Sequence, residues 1–424
     1  MGSVIKVFRA RVRENSCERV GRSAPTKFQS KLANMRIGVL TSHPIQYQAP
    51  YFRALTKRAD LHVFFAHRPT AEQQGSGFGR SFNWDVDLLS GYSYTFLRNK
   101  AKNPGTNSFF GCDTPEIKEV IRTGHFDAFI VSGWFLKSYW QAVRACKRNK
   151  VPVLVRGDSQ LRTPRSRVKR GIKLYGYHLA LKQFDGFLTV GQRNREYLLH
   201  YGIPEKKLFF APHFVDNDWF ADRAVAEGPH RREIRAQWSA NDSTFIALFA
   251  GKFIPEKRMS DLVRAVGVLK ARGRDITAVL IGAGELEEEL RGEAELRRVN
   301  IKFEGFKNQT ELPAYYCVAD AFVLPSSSET WGLAVNEAMA CGLPAIVSDA
   351  VGCAPDLIDE GCTGFTYPVG DVRALADRLE EIAELKDHRF DFRPYLKDKL
   401  AVYSLKSAVD GTVAAVQSFL GAIR

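Results

Sequence analysis

The stretch Ser326–Gly342, SSSETWGLAVNEAMACG, decides how the rest of this 424-residue chain is read. A short apolar run, Ala321–Leu324, leads into it and has the unbroken hydrophobicity of a buried parallel strand, which Pro325 ends. Ser326–Thr330 are loop and helix-cap residue types. From Gly332 onward, Leu333, Ala334, Ala338 and Met339 recur at helical spacing. The stretch therefore predicts strand, tight loop and helix N-terminus, with Glu329 in the loop and Glu337 inside the helix. Such a helix start carries unpaired N–H groups and partial positive charge, which suits a phosphate. The two carboxylates beside it can accept hydrogen bonds from hydroxyls on the rest of a phosphate-bearing ligand.

Outward from this stretch, strands and helices alternate. On the N-terminal side, Arg36–Thr41, Leu61–Ala66, Tyr94–Leu97, Ala128–Ser132, Val151–Val155 and Gly186–Val190 read as strands with helical segments between them. Near 214–229 the alternation stops, and VDNDWFADRAVAEGP is polar, acidic and ends in Gly-Pro. A second series then runs from Thr244 through the opening stretch to a helix at Val372–Leu385. The expected architecture is α/β, with two Rossmann-like doubly wound domains facing a central cleft. The expected segments are a basic extension (1–34), a first domain (35–220), a linker (221–243), a second domain (244–390) and a C-terminal helical segment (391–424) that packs back toward the first domain.

The net charge of +14 attracts polyanions, but does not choose among nucleic acid, an anionic membrane and phosphate-bearing substrates. The seven cysteines form no metal-ligand spacing, and no metal or other cofactor is expected. No apolar run reaches the roughly 20 residues of a membrane span. Residues 1–34 are rich in Arg and Lys and lack the apolar core of a secretory signal. These features predict a cytoplasmic chain with reduced thiols.

FAGKFIPEKRM (249–259) places Gly251 at a strand's carboxyl end, followed by Lys252 and Lys257. A lone lysine pair is usually a solvated surface. Here it follows a strand in the same domain as the Gly332 helix start, which suits a diphosphate held by both lysines and the amides of Gly332, Leu333 and Ala334. In LIGAGELEEEL (280–290), Gly282 and Gly284 permit close backbone approach to a ligand, although such a pair is often only a tight turn.

Together these pieces resemble the C-terminal domain of the retaining GT-B glycosyltransferases of family GT4. That family carries GRLxxxKG, a GxG turn and an E-x7-E pair within ExFGLxxxEAMAxGxPVI. The counterparts here are GKFIPEKR, IGAGE and ETWGLAVNEAMACGLPAIVSD, followed by GCTGFTYPVGD. The resemblance implies that Glu337 meets the ribose hydroxyls and Glu329 the donor sugar. It also implies transfer from a nucleoside-diphosphate sugar with retention at the anomeric carbon and no metal. Lys252 stands where the family has Arg, Arg258 where it has Gly, and Trp331 where it has Phe.

The N-terminal half is similar to polysaccharide-cluster members through SHPIQYQAPYFR, NWDVDLL, RGDS and GIPEKKLFFAPHFVDN. It departs from family members with a Gly-rich first loop, carrying Ser42-His43-Pro44-Ile45-Gln46 instead. His43 and Arg156 lie at strand ends facing the expected cleft, and are candidates for catalytic contact with donor or acceptor. His213 and Trp134 read as structural. The run RTPRSRVKRGIK (162–173) is either a solvated basic face or a docking surface for anionic lipid headgroups at the inner face of the membrane.

The expected partners are a nucleotide-sugar and a sugar or lipid-linked acceptor in exopolysaccharide, lipopolysaccharide or glycolipid assembly. A soluble sucrose- or trehalose-type synthase, or another GT-B enzyme, is the alternative. A non-enzymatic polyanion-binding protein is disfavoured, because aromatics do not interleave with basic residues as in nucleic-acid modules. No specific nucleic acid is expected.

Overall fold

The computed structural model describes residues 35–161 and 176–420. The basic extension 1–34 and the basic run 162–173, with its expected lipid contact, lie outside the described residues. The first sheet contains β1 (Arg36–Thr41), β2 (Asp60–Phe65), β3 (Ser93–Phe96), β4 (Ala128–Val131), β5 (Val153–Gly157), β6 (Gly186–Thr189) and β7 (Leu208–Phe210). Their order is β3-β2-β1-β4-β5-β6-β7, and every neighbouring pair is parallel. The second sheet contains β8 (Phe245–Ala250), β9 (Ile276–Ile281), β10 (Ile301–Gly305), β11 (Ala321–Leu324), β12 (Ala345–Ser348) and β13 (Gly364–Tyr367). Its order is β10-β9-β8-β11-β12-β13, again all parallel.

The helices that matter below are α1 (Gln48–Thr56), α2 (Lys137–Arg148), α3 (Gln192–His200), α4 (Asn217–Glu227), α5 (Met259–Ala271), α6 (Glu287–Arg297), α7 (Leu333–Ala340), α8 (Val372–Asp387), α9 (Arg393–Val402) and α10 (Leu405–Leu420). Helices cover the sheets, so the central strands are dominated by buried apolar residues. FIALFA in β8, ITAVLI in β9 and AFVL in β11 are buried throughout. Each strand order reverses once, between β1 and β4 and between β8 and β11. A crevice opens beyond the carboxyl ends of the strands at such a reversal.

The structure departs from the sequence expectations in two places. Strands β7 and β13 were not anticipated. They are three and four residues long and sit at sheet edges, too short to show a period of their own. The stretch 221–243, expected as a linker, is mostly helical: α4 is followed by a turn and by a helix at Arg231–Gln237. It is anchored in the second domain by Arg235, which is 1% exposed. Arg235 Nη1 donates to Val318 O at 2.8 Å and lies 3.3 Å from Asp320 Oδ2. Trp238 is equally buried and donates from Nε1 to Glu304 Oε1 at 2.7 Å. The acidic surface of α4 gives the sequence its linker character, while its inner face carries Phe220 and Ala224 into the core.

After α8 the chain stays on the second domain for one more helix and then crosses to the first. Helix α9 packs on α7, and α10 packs on α1 and β7 of the first domain. Tyr51 Oη and Thr412 Oγ1 share a hydrogen bond of 2.8 Å, and Arg58 Nη1 lies 2.7 Å from Asp410 Oδ1. Among the described residues no helix is long and apolar enough to cross a membrane.

Candidate active site

The opening stretch folds as its residue types require. β11 ends at Leu324, and Gly332 starts α7 with φ of +102°. A Cβ at Gly332 would lie 2.9 Å from Leu324 Cδ2, so glycine meets both a conformational and a steric demand. No side chain caps α7, and of its first-turn amides that of Val335 donates to Gly332 O at 2.9 Å. Leu333 and Ala334 are half-buried at this rim. The loop is braced by Gly352, whose N–H donates to Glu329 O at 3.0 Å.

Glu329 and Glu337 face different partners. The Glu329 carboxylate forms an ion pair with Lys257 Nζ. Glu337 accepts a 2.9 Å hydrogen bond from Tyr316 Oη, and burial pushes its carboxyl up to about 7. Trp331, where the family has Phe, is buried and donates from Nε1 to Asn336 Oδ1 at 2.8 Å. Its ring lies 5.2 Å from that of His213 and 5.9 Å from that of Tyr403.

The lysine loop lies beside this helix start. Lys257 closes a short turn, Pro255–Lys257, and Ser327 N–H donates to Glu256 O at 2.8 Å, tying the two loops together. Lys252 Nζ sits 5.3 Å from the centre of the Phe78 ring. Burial, and then the neighbouring charge of Lys257, hold the Lys252 ammonium below the usual lysine range. Arg258 explains its own departure from the family pattern. Its φ is +52°, the left-handed region that the family's glycine adopts readily. Its guanidinium grips Asp261 through Nε–Oδ2 at 2.7 Å and Nη2–Oδ1 at 3.0 Å, which offsets the backbone cost.

Gly282 and Gly284 do allow a close approach, and its partner is the lysine loop itself. A Cβ at Gly282 would fall 1.8 Å from Gly251 O, and one at Gly284 would fall 2.5 Å from Phe253 O. Gly251 N–H donates to Ile281 O and Phe253 N–H to Ala283 O, each at 2.9 Å. The two glycines therefore seat the loop that carries Lys252.

The first-domain candidates are held by first-domain partners. His43 Nδ1 and Ser42 Oγ are 2.9 Å apart. Burial, with a smaller contribution from His67, pushes the His43 imidazole down to about 4, so it is neutral at pH 7. Arg156 Nη2 donates to Pro212 O at 2.8 Å, and the guanidinium lies 5.5 Å from the Phe214 ring centre. Trp134 stacks on Tyr197 at 6.1 Å.

Several side chains that the sequence did not single out join the domains at the site. Gln160 Nε2 donates to Glu329 O at 2.6 Å, and Thr330 Oγ1 to Asp158 Oδ2 at 2.9 Å. Arg193, at the start of α3, donates to Val351 O and Asp349 O, each at 2.7 Å. His213 lies between Tyr47 and Trp331, and neither of its ring nitrogens has a partner among the described residues. The sequence reads His213, after Pro212, as structural.

The Gly-rich aromatic segment 75–85 reaches across to the second domain. Phe78 and Phe82 pack on Phe306 with ring centres 5.1 and 4.6 Å away. Asn308 Nδ2 donates to Asn83 O at 2.8 Å, and Thr310 N–H to Asp85 Oδ2 at 3.1 Å. This clasp places Phe78 over Lys252.

With this geometry in view, comparisons with known proteins are specific. Residues 230–399 match the model of the family described as Glycosyl transferases group 1. The chain is 33% identical over 146 residues to the amylovoran biosynthesis glycosyltransferase AmsK of Erwinia amylovora, covering 32% of this chain and 35% of that protein. It is 28% identical over 220 residues to the putative colanic acid biosynthesis glycosyltransferase WcaL of Salmonella typhimurium, covering 50% of each. Thus the chain spans about a third to a half of the length of these curated relatives. Among solved structures, Anabaena Alr3699/HepE, in complex with UDP and glucose, superposes with a TM-score of 0.66 at 16% identity, covering 91% of this chain and 100% of that one. A glycosyltransferase from Rickettsia africae superposes with a TM-score of 0.69 at 14% identity, covering 91% and 99%. The chain has the GT-B fold of two facing Rossmann-like domains, and its residues 230–399 are similar to the glycosyl transferases group 1 family.

Proposed function

We propose that the chain transfers a sugar from a nucleoside-diphosphate sugar to an acceptor hydroxyl, with retention at the anomeric carbon. The observation that carries this reading is the junction of the two loops. Lys257 and Lys252 lie beside the uncapped start of α7, where Glu329 meets Lys257. Both lysines and the amides of Gly332, Leu333 and Ala334 would hold the diphosphate, and they would stabilise its charge as it leaves. Glu337 would accept from the ribose hydroxyls. Glu329 would exchange its contact with Lys257 for the hydroxyls of the donor sugar. The acceptor approaches from the first-domain side, where His43 and Arg156 lie, and its proton passes to the departing phosphate. No metal takes part in this scheme. The complexes of HepE with UDP and with UDP-glucose support the donor class.

The names of AmsK and WcaL favour an acceptor in polysaccharide assembly. A sucrose-phosphate synthase and a trehalose 6-phosphate synthase share the fold, so a small soluble acceptor is the second reading.

The test is UDP binding, followed by thermal shift, with GDP and ADP as alternatives. Lys257→Met should weaken the diphosphate by a factor of about 10²–10³ while sparing a nucleoside monophosphate. Equal loss for both, or binding of no nucleoside diphosphate by the wild type, would sink the assignment.

A further inference from the structure

We propose that the first domain carries a docking face for an anionic lipid bilayer, built from the turn Phe109–Gly111, Lys118 and the outer face of α2. The turn presents Phe110 at 69% exposure and Phe109 at 38%. Their rings meet edge to face at 4.9 Å, so they form one apolar knob. Soluble surfaces seldom hold out a paired phenylalanine without a partner for it.

Helix α2 supplies the charge. Its inner face, with Tyr139, Ala142, Val143 and Cys146, is buried against the first sheet. Its outer face places Trp140, Arg144 and Arg148 at helical spacing. A cavity of about 650 Å³ lies between this face, the phenylalanine knob and Lys118.

Nearby carboxylates are already engaged. Asp113 takes Lys137 Nζ and Gln141 Nε2, each at 2.6 Å, Asp185 takes Lys147 Nζ at 2.6 Å, and Glu119 takes Arg122. Lys118, Arg144 and Arg148 are exposed and have no carboxylate partner among the described residues. An apolar knob beside unpaired cations matches an interface where rings enter the headgroup layer and cations meet lipid phosphates. A small soluble anion would use the charges but give no reason for the exposed rings. This face is separate from the diphosphate site, so the proposal does not depend on the donor.

The test is cosedimentation of the full chain with phosphatidylcholine vesicles, with and without about one-third phosphatidylglycerol, at about 0.1 M ionic strength. The wild type should partition onto the anionic vesicles and not onto the neutral ones. Replacing Lys118, Arg144 and Arg148 together by Gln should lower the partition coefficient about a hundredfold, at about fivefold per charge near such a surface. Phe110→Ser should lower it about tenfold. Both variants change exposed side chains, and should keep the wild-type melting temperature and the wild-type thermal response to UDP. The proposal fails if the wild type binds neither vesicle or binds both equally, or if the triple variant binds like the wild type. Displacement from vesicles by millimolar inorganic phosphate, or by an oligonucleotide at matched charge, would also overturn it in favour of a small-anion or nucleic-acid site.

Discussion

The carboxyl of Glu337 should couple donor affinity to pH. It is half-buried on α7, accepts a hydrogen bond from Tyr316 Oη at 2.9 Å and is pushed by burial from 4.5 up to about 7. Between these values the folded chain holds a proton that the unfolded chain has released. The associated stability is therefore fully present below about pH 4.5 and is lost as pH rises through about 7. At 1.36 kcal/mol per pH unit it amounts to about 3 kcal/mol. Ribose hydroxyls bind an ionised carboxylate more strongly than the neutral acid, so the donor competes with the proton. If only the carboxylate form binds, the apparent Kd should rise about elevenfold at pH 6 and about twofold at pH 7, relative to its limit at high pH. Glu337→Gln removes the titrating group and keeps the size of the side chain. It should bind more weakly at pH 8 and lose this component of the pH dependence. The assay is calorimetric titration of UDP into both chains from about pH 5.5 to 8.5, the window around the shifted value. The ratio of the two Kd values cancels the titration of the ligand's own phosphate. A ratio that stays constant across the range would refute the placement of Glu337 on the ribose.

Two further perturbations test how the site is held. Gly282→Ala places a methyl 1.8 Å from Gly251 O at a φ of +138°, so the lysine loop must move. Backbone strain and disturbed loop hydrogen bonds together should cost about 3 kcal/mol, read as a lower melting temperature with weakened UDP binding. Asp85→Ala removes the acceptor for Thr310 N–H and Thr310 Oγ1 and should loosen the clasp. Small-angle scattering should then show a larger radius of gyration, and proteolysis should cut faster within 75–85. An unchanged scattering curve and cleavage rate would show that the clasp does not hold the domains together.

Much of the site was legible because its chemistry is local. A strand, a glycine at positive φ and a helix start must be contiguous in sequence, so SSSETWGL announces a loop and an open helix start before any contact is known. FAGKFIPEKRM is similarly self-contained as a strand end and loop, whereas the ion pair of its Lys257 with Glu329 comes from the tertiary fold. Other roles were mistaken or invisible because they depend on partners distant in sequence. The close approach permitted by Gly282 and Gly284 is to residues 251–253, some thirty positions earlier. The acidic surface of 216–227 concealed that Phe220, Arg235 and Trp238 enter the second core. Nothing in GSGFGRSFNWD names Phe306 or Thr310 as its counterpart.

By itself, then, the sequence determined the two alternating α/β series and placed Lys252, Lys257 and Glu329 in loops at strand ends, with Glu337 in the helix that follows. Each of these follows from periodicity or backbone geometry within a few residues. Only the tertiary structure decided which carboxylate meets Lys257 and which meets Tyr316, and that Phe78 crosses the cleft to cover Lys252. It alone set the outer face of α2 beside Phe109 and Phe110. These are contacts between segments tens to hundreds of residues apart, and side-chain packing across the two sheets selects them.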